Sequence, residues 1–344
     1  MSARHDRPPG ALVISLDLEL AWGVRQRGQG YVRNLLGERE VIPRLLALFR
    51  EFEVAATWAA VGFLFAASRD ELERFSPRVR PAYANPSLSP FSDSLGSGEA
   101  DDPLHFAPSL IEAIRRTPRM EIATHTFSHY YCGEPGQTAD TFRADLEAAR
   151  AIAESRKLRL SSIVFPRNQH HPGYDNCLLA AGITAYRGVP RSWMWRFENA
   201  EASATPGKRA IRLIDAYVGL TGHHTVPWWE VPQPSGLANV RASCFLRPYN
   251  PRLAPLERLR LGRIRRSIRA AARQGEIFHL WWHPHNFGVH REENLAFLRR
   301  VLEEFQDCRT RHGMRSLTMC EVDRLAGSSR RSGAECAAAT QALA

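Results

Sequence analysis

Two continuous apolar runs with one helix between them constrain this chain most. Residues Ala11–Leu16 read A-L-V-I-S-L and residues Val54–Val61 read V-A-A-T-W-A-A-V. Unbroken apolar runs with β-branched residues suit strands buried on both faces, as parallel strands are. Between them, Val41, Leu45, Leu48, Phe49 and Phe52 recur at helical spacing over Glu38–Glu53. A strand, a helix and a strand at this separation predict a parallel pair joined by a crossover.

The alternation continues. Helical patterns are read at Phe63–Phe75, Phe106–Arg116, Thr138–Lys157, Tyr174–Ala181, Leu256–Arg273 and Glu292–Arg311. Strands are read at Met120–Thr124, Leu160–Phe165, Ile183–Tyr186, Glu276–Trp282 and Ser316–Met319. The stretch 76–102 is rich in Pro, Ser, Gly and Asp and reads as a long loop. From 188 to 233 the periodicity is poor, and Trp193, Trp195, Trp228 and Trp229 concentrate there, either as walls of a sugar groove or as core. The resulting organisation is an extension over 1–10, one α/β unit over 11–326 with insertions near 76–104 and 188–255, and a disordered Ser-, Ala- and Arg-rich tail over 327–344.

With 44% hydrophobic and 24% charged residues in a chain of 344, a sizeable core needs no staple. The six Cys are scattered without a C-x-x-C, which argues against a disulfide framework and a cysteine zinc site. No stretch reaches the length of a membrane span, and the first residues run into a strand without an apolar signal core. The expected location is the cytoplasm. The formal net charge of +10 comes mostly from Arg. No nucleic-acid motif accompanies it, so nucleic acid is not an expected partner. Seven arginines between Arg258 and Arg273 offer either a surface for acidic lipid head groups or a phosphorylated carrier, or a solvated helix face.

Chemistry-capable residues fall just after the predicted strands. Asp17 and Glu19, two apart on a strand, point to one face. His125 and His129 in T-H-T-F-S-H are spaced i, i+4, which on a helical turn sets two imidazoles side by side for one divalent cation. Arg167 follows the strand ending at Phe165, and His283 and His285 follow the strand ending at Trp282. Parallel α/β barrels gather their active sites at that end of the strands.

The ordered set S-L-D-L-E, T-H-T-F-S-H, F-P-R-N-Q and L-W-W-H-P-H resembles the polysaccharide deacetylase family, the NodB-homology or carbohydrate esterase 4 group, over roughly Leu12 to Leu325. The resemblance implies a distorted, incomplete (β/α) barrel of about seven parallel strands. It implies a metal-dependent de-N-acetylase of an amino sugar. His125 and His129 match the metal-binding histidines. The family's two adjacent aspartates are replaced here by Asp17-Leu18-Glu19, with Asp17 assigned as general base and Glu19 as third ligand, or the reverse. Arg167 matches the arginine that pairs with the base. His283 matches the general acid, with His285 as the alternative. The oxyanion is expected on the metal and on a backbone N–H near Tyr130. Asp215 is the candidate for the family's Asp–Trp motif, and Trp22 lies beside the first motif. The implied cofactor is Zn2+. The implied substrate is an amino sugar or glycan met in cell-surface polysaccharide or glycoconjugate assembly; the absence of an export signal and the Arg-rich helix point to a nucleotide- or lipid-linked form of it and to peripheral membrane contact as options. The alternatives are another non-peptide C–N hydrolase, a sugar deformylase, or an inactive carbohydrate-binding homologue.

Overall fold

The computed structural model describes residues 8–25, 28–192 and 206–327. The expected tail beyond 327, most of the expected N-terminal extension, and Trp193 and Trp195 lie outside them.

Among the described residues nine strands form one all-parallel sheet: β1 (Ala11–Leu18), β2 (Ala56–Ala60), β3 (Met120–Thr124), β4 (Ser162–Ile163), β5 (Ala185–Tyr186), β6 (Ala238–Asn239), β7 (Cys244–Phe245), β8 (Ile277–Trp282) and β9 (Arg315–Leu317). Eight run in the order β6-β5-β4-β3-β2-β1-β8-β7, an open path that curls into an incomplete barrel. The ninth completes an edge of β1. Along that edge β9 pairs with Ala11–Val13 and β2 with Ser15–Leu18, while β8 covers the opposite edge of the same strand. Every residue of β1 and of β8 is buried, as strands so largely apolar require, the polar Ser15, Asp17 and His279 included.

The helices are α1 (Val32–Glu51), α2 (Arg69–Phe75), α3 (Pro108–Arg116), α4 (Ala139–Ser155), α5 (Asp175–Ala180), α6 (Pro206–Val218), α7 (Glu257–Gln274) and α8 (Arg291–His312), with a last helical stretch over 319–327. The main core packs α1, α3, α4, α7 and α8 against β1, β2 and β8 through residues such as Phe49, Trp58, Ile152, Ile268 and Phe305. Burying a large apolar side chain of this kind contributes about 1.5–3 kcal/mol.

The seven strands read from the sequence are present, joined by β6 and β7, two residues each and too short to show a period, while Phe63–Phe75 is a 3-10 turn at Gly62–Phe65 followed by α2. The segment 188–233, in which no period was read, contains α6, whose apolar residues Ile211, Ile214 and Val218 are exposed.

Candidate metal centre

The C-terminal ends of β1, β3 and β8 meet at one mouth. Asp17 and Leu18 close β1, and Glu19 leads into a 3-10 turn at Leu20–Gly23. β3 delivers His125, and β8 delivers His283. Glu19 Oε1 lies 2.9 Å from His125 Nε2 and 3.2 Å from His129 Nε2. All three residues are buried, and their ligand atoms lie within 4.8 Å of one another.

His125 and His129 are not on a helix. They bracket a tight loop in which Thr126 and His129 adopt left-handed backbone, at φ 64° and 56°. Asp145 of α4 sustains that loop by accepting from Phe127 N at 2.7 Å, Ser128 N at 3.1 Å and the Ser128 hydroxyl. The four-residue spacing therefore works through this folded loop, which sets the ring centroids 5.1 Å apart. Left-handed non-glycine residues also follow the other strands of the mouth, at Leu20, Arg167 and Asn168. Strain of this kind costs about 1–3 kcal/mol per residue and is held where a site dictates the backbone.

His129 Nδ1 sits 3.0 Å from the Tyr131 hydroxyl. With Nδ1–H donated there, the Nε2 lone pair is left facing Glu19, the tautomer a cation requires. Burial raises the Glu19 carboxyl, but His283, His125 and His129 bring it well below its ordinary value. Burial lowers the His129 imidazole. One ionised carboxylate and two imidazoles converging in a buried mouth are a donor set that fits a divalent cation with positions to spare. A second grouping, Asp17, Glu19 and His283, is also close. It fits less well, because both Asp17 oxygens are already engaged.

The group engaging them is Arg187, which follows β5. Its Nη1 donates to Asp17 Oδ1 at 2.6 Å and its Nη2 to Oδ2 at 2.7 Å. Nη1 also donates to Ser15 Oγ at 3.0 Å and Nη2 to Asn168 Oδ1 at 3.2 Å, and the guanidinium lies 4.0 Å over the Trp281 ring. Burial raises the Asp17 carboxyl, and Arg187, then His283, more than offset it, leaving Asp17 ionised. Beneath this pair, His279 Nε2 lies 2.8 Å from Ser15 Oγ. Burial, then the Arg187 charge, push the His279 imidazole down to about 3. The folded protein keeps it neutral, while the unfolded chain takes up a proton below its ordinary 6.5. This contribution to stability is complete above that pH and declines as pH falls toward 3, by up to about 1.4 kcal/mol per unit. His279→Asn is expected to flatten this decline between pH 6.5 and 5. Denaturant titrations across that range check it, and an unchanged slope would place the proton elsewhere.

The remaining expected residues divide as follows. His283 Nε2 lies 3.7 Å from both Asp17 Oδ2 and Glu19 Oε1. His285 lies next to it. It is buried, stacked on His283 at 4.9 Å and edge-on to Tyr31 at 5.4 Å. Arg167 is not the partner of Asp17. It pairs with Glu134 at 2.8 Å and lies over the Tyr131 ring at 4.3 Å, because the left-handed turn at 167–168 carries it to the rim. The backbone N–H of Tyr130 is already donated to Thr126 Oγ1 at 2.6 Å, and that of Tyr131 to the Tyr83 hydroxyl at 2.9 Å, so neither is available to an oxyanion. Asp215 pairs with Arg263 at 2.8 Å and accepts from Thr221 N and Oγ1. Those contacts anchor α6 to α7. Trp22 is core, its Nε1 donating to His105 O at 3.0 Å. Trp228 and Trp229 sit beside the Val226–Ile277 bridge at the start of β8, the end opposite the mouth, so they line no groove there.

Sequence reasoning missed Arg187, His279 and Glu38. Glu38, on α1, is fully buried, and burial, then the Glu19 charge, push its carboxyl well above the ordinary range. It is therefore a neutral acid that adds no second negative charge beneath Glu19. The signal for His279 was a polar residue inside an apolar strand. Arg187 had none beyond its place after a short strand.

Glycine shapes the mouth at two places. A Cβ on Gly37 would come within 1.9 Å of Gly288 O, so α1 packs directly on the loop that carries His283 and His285. A Cβ on Gly23 would fall 1.7 Å from Glu19 Oε2. Gly23→Ala must therefore turn the Glu19 carboxylate. Affinity for a divalent cation is expected to fall about 10- to 100-fold, as when an orienting partner is lost, with the fold intact. Calorimetric titration of parent and variant with divalent cations checks this.

No family model matches the sequence, and no curated protein matches it either. Solved structures do. A protein described as a polysaccharide deacetylase from Mycobacterium smegmatis superposes with a TM-score of 0.59 at 15% identity, over 96% of this chain and 94% of that one. The fold is that of the polysaccharide deacetylases. A second such protein, from Pseudomonas aeruginosa PAO1, gives 0.55 at 12% identity over 93% and 94%. The Puue allantoinase gives 0.51 at 12% over 94% and 97%.

Proposed function

We propose that this protein is a metal-dependent hydrolase of a non-peptide C–N bond, a de-N-acetylase of an amino sugar in cell-surface polysaccharide or glycoconjugate assembly. The observation that carries the reading is the convergence, at one mouth, of Glu19, His125 and His129 with an arginine-clamped Asp17 and with His283. The deacetylase fold supports it, as does the ordered set of motifs.

Glu19, His125 and His129 would hold the cation, with zinc the ion best suited to two imidazoles and a carboxylate. Bound there, it supplies Lewis acidity to an amide carbonyl and to attacking water. Asp17 is the general base. Held ionised and oriented by Arg187, it accepts the proton of the attacking water. His283, 3.7 Å from both carboxylates, is placed to hold a proton and deliver it to the leaving nitrogen. An amine is a poor leaving group until protonated, so this transfer governs collapse of the tetrahedral intermediate. His283→Ala is expected to keep the metal and lose about 10²- to 10⁴-fold in turnover. Acetate release from N-acetylated amino sugars, with metal content measured in parallel, checks it. A variant at the parent's rate would assign the acid elsewhere.

The Puue allantoinase, which shares the fold, favours one second reading, hydrolysis of a different amide. A screen of acetylated and formylated amino sugars against simple amides separates the two: turnover of the amides alone would select the second. A soluble, cytoplasmic protein acting on a nucleotide- or lipid-linked sugar is the setting we infer. Among the described residues no helix is long and apolar enough to cross a membrane.

A further inference from the structure

The outer surface of α6 carries a feature the hydrolytic site does not use. Ile211, Ile214 and Val218, at i, i+3 and i+7, form one stripe, and all three are exposed, Ile214 by 52% and Val218 by 51%. Leu220 follows at 67% exposure, and Leu256, which caps the neighbouring α7, and Leu259 in its first turn add to it. Single exposed aliphatics are ordinary, but a helical stripe with further leucines on the adjoining helix is an interaction surface.

Its position follows from the topology. α7 ends at Gln274 and β8 begins at Ile277, so the C-terminal end of α7 lies at the start of β8. Its N-terminal half, with Leu256 and Leu259, therefore lies toward the other end, where β8 delivers His283. The Asp215–Arg263 pair, with Gly219 packed on Arg263, ties the last turn of α6 to that same half. The apolar stripe thus flanks the side of the sheet on which the candidate metal centre opens.

The charge around it selects the partner. Arg252, Arg258 and Arg266 are exposed and form no ion pair among the described residues, in a chain of formal net charge +10. A second copy of so cationic a chain is repelled, whereas a sheet of anionic head groups is attracted and accepts shallow aliphatic insertion. We propose that the α6 stripe and the start of α7 form a docking surface for an anionic lipid bilayer, bound peripherally with the catalytic mouth beside the head groups. The docking is independent of the hydrolase reading. That it brings lipid-borne amides to the mouth rests on that reading.

The test is sedimentation of the full chain with vesicles of phosphatidylcholine alone, or of phosphatidylcholine and phosphatidylglycerol in equal parts. Binding is expected only to the mixed vesicles and should weaken as salt is raised. The paired variant Ile214→Asp/Val218→Asp is expected to bind about tenfold more weakly or worse, with unchanged circular dichroism and zinc content. Leu259→Asp, on the neighbouring helix, should act in the same direction and guards against a local loss of α6. Four results would overturn the proposal: no binding to mixed vesicles, equal binding to neutral ones, full binding by the variants, or a dimer in solution that Ile214→Asp dissolves. None of these readouts uses turnover, so the docking can fail while the hydrolase reading stands, and the reverse.

Discussion

Arg187→Met is expected to destabilise the protein by about 3–5 kcal/mol, the cost of leaving a buried carboxylate without its partner. Asp17 and Arg187 are only 2% and 1% exposed, and all four atoms of the carboxylate–guanidinium fork are used. Little water can take over when the guanidinium goes. Arg187→Lys keeps a charge but loses the fork, so it should fall between parent and methionine variant. Adding Asp17→Leu to Arg187→Met removes the stranded charge and should restore much of the lost stability without restoring activity. Denaturant unfolding of the four proteins reads the series. A methionine variant within about 1 kcal/mol of the parent would mean that Asp17 is not held as described.

His129→Ala is expected to remove metal retention and turnover together. It deletes one of only two imidazoles, so zinc affinity should fall by well over the roughly 10- to 100-fold that loss of an orienting partner costs. Asp17→Asn is the contrast: metal retained, turnover down about 10²- to 10⁴-fold. Metal analysis after dialysis, paired with acetate release, separates them. Hydrolysis surviving in metal-depleted His129→Ala would exclude the proposed chemistry altogether.

The elements that proved legible share a physical cause. β1, β3 and β8 are interior parallel strands, so their sequences are near-continuous apolar runs, and a polar residue just past such a run stands out. Asp17, Glu19, His125, His129 and His283 were all visible in this way. The structure gathers them within a few ångströms. What was hidden depends on contacts between segments distant in sequence. Arg187 follows a two-residue strand in a chain full of arginine, and only the curl of the sheet brings it to Asp17. Arg167 sits in a more conspicuous position, but its left-handed turn sends it to Glu134 instead. The His125–His129 spacing suggested a helical turn, whereas the two imidazoles meet across a folded loop, since Asp145, an unremarkable acid in α4, shapes it. Glu38 reads as one more polar position of an amphipathic helix, and nothing local reveals that it is fully enclosed.

The pairing of β1 carries a consequence for how the chain reaches this state. Residue 11 hydrogen-bonds to neither of its flanking segments until residues 277 and 315 have been synthesised. The central ribbon of the molecule therefore leaves the ribosome early and must wait, with one edge bare, for the last partners to arrive. Contacts this distant in sequence slow folding, and an apolar edge left open invites association with other nascent chains. A helper that shields Ala11–Leu18 until β8 and β9 have been made would lower that risk.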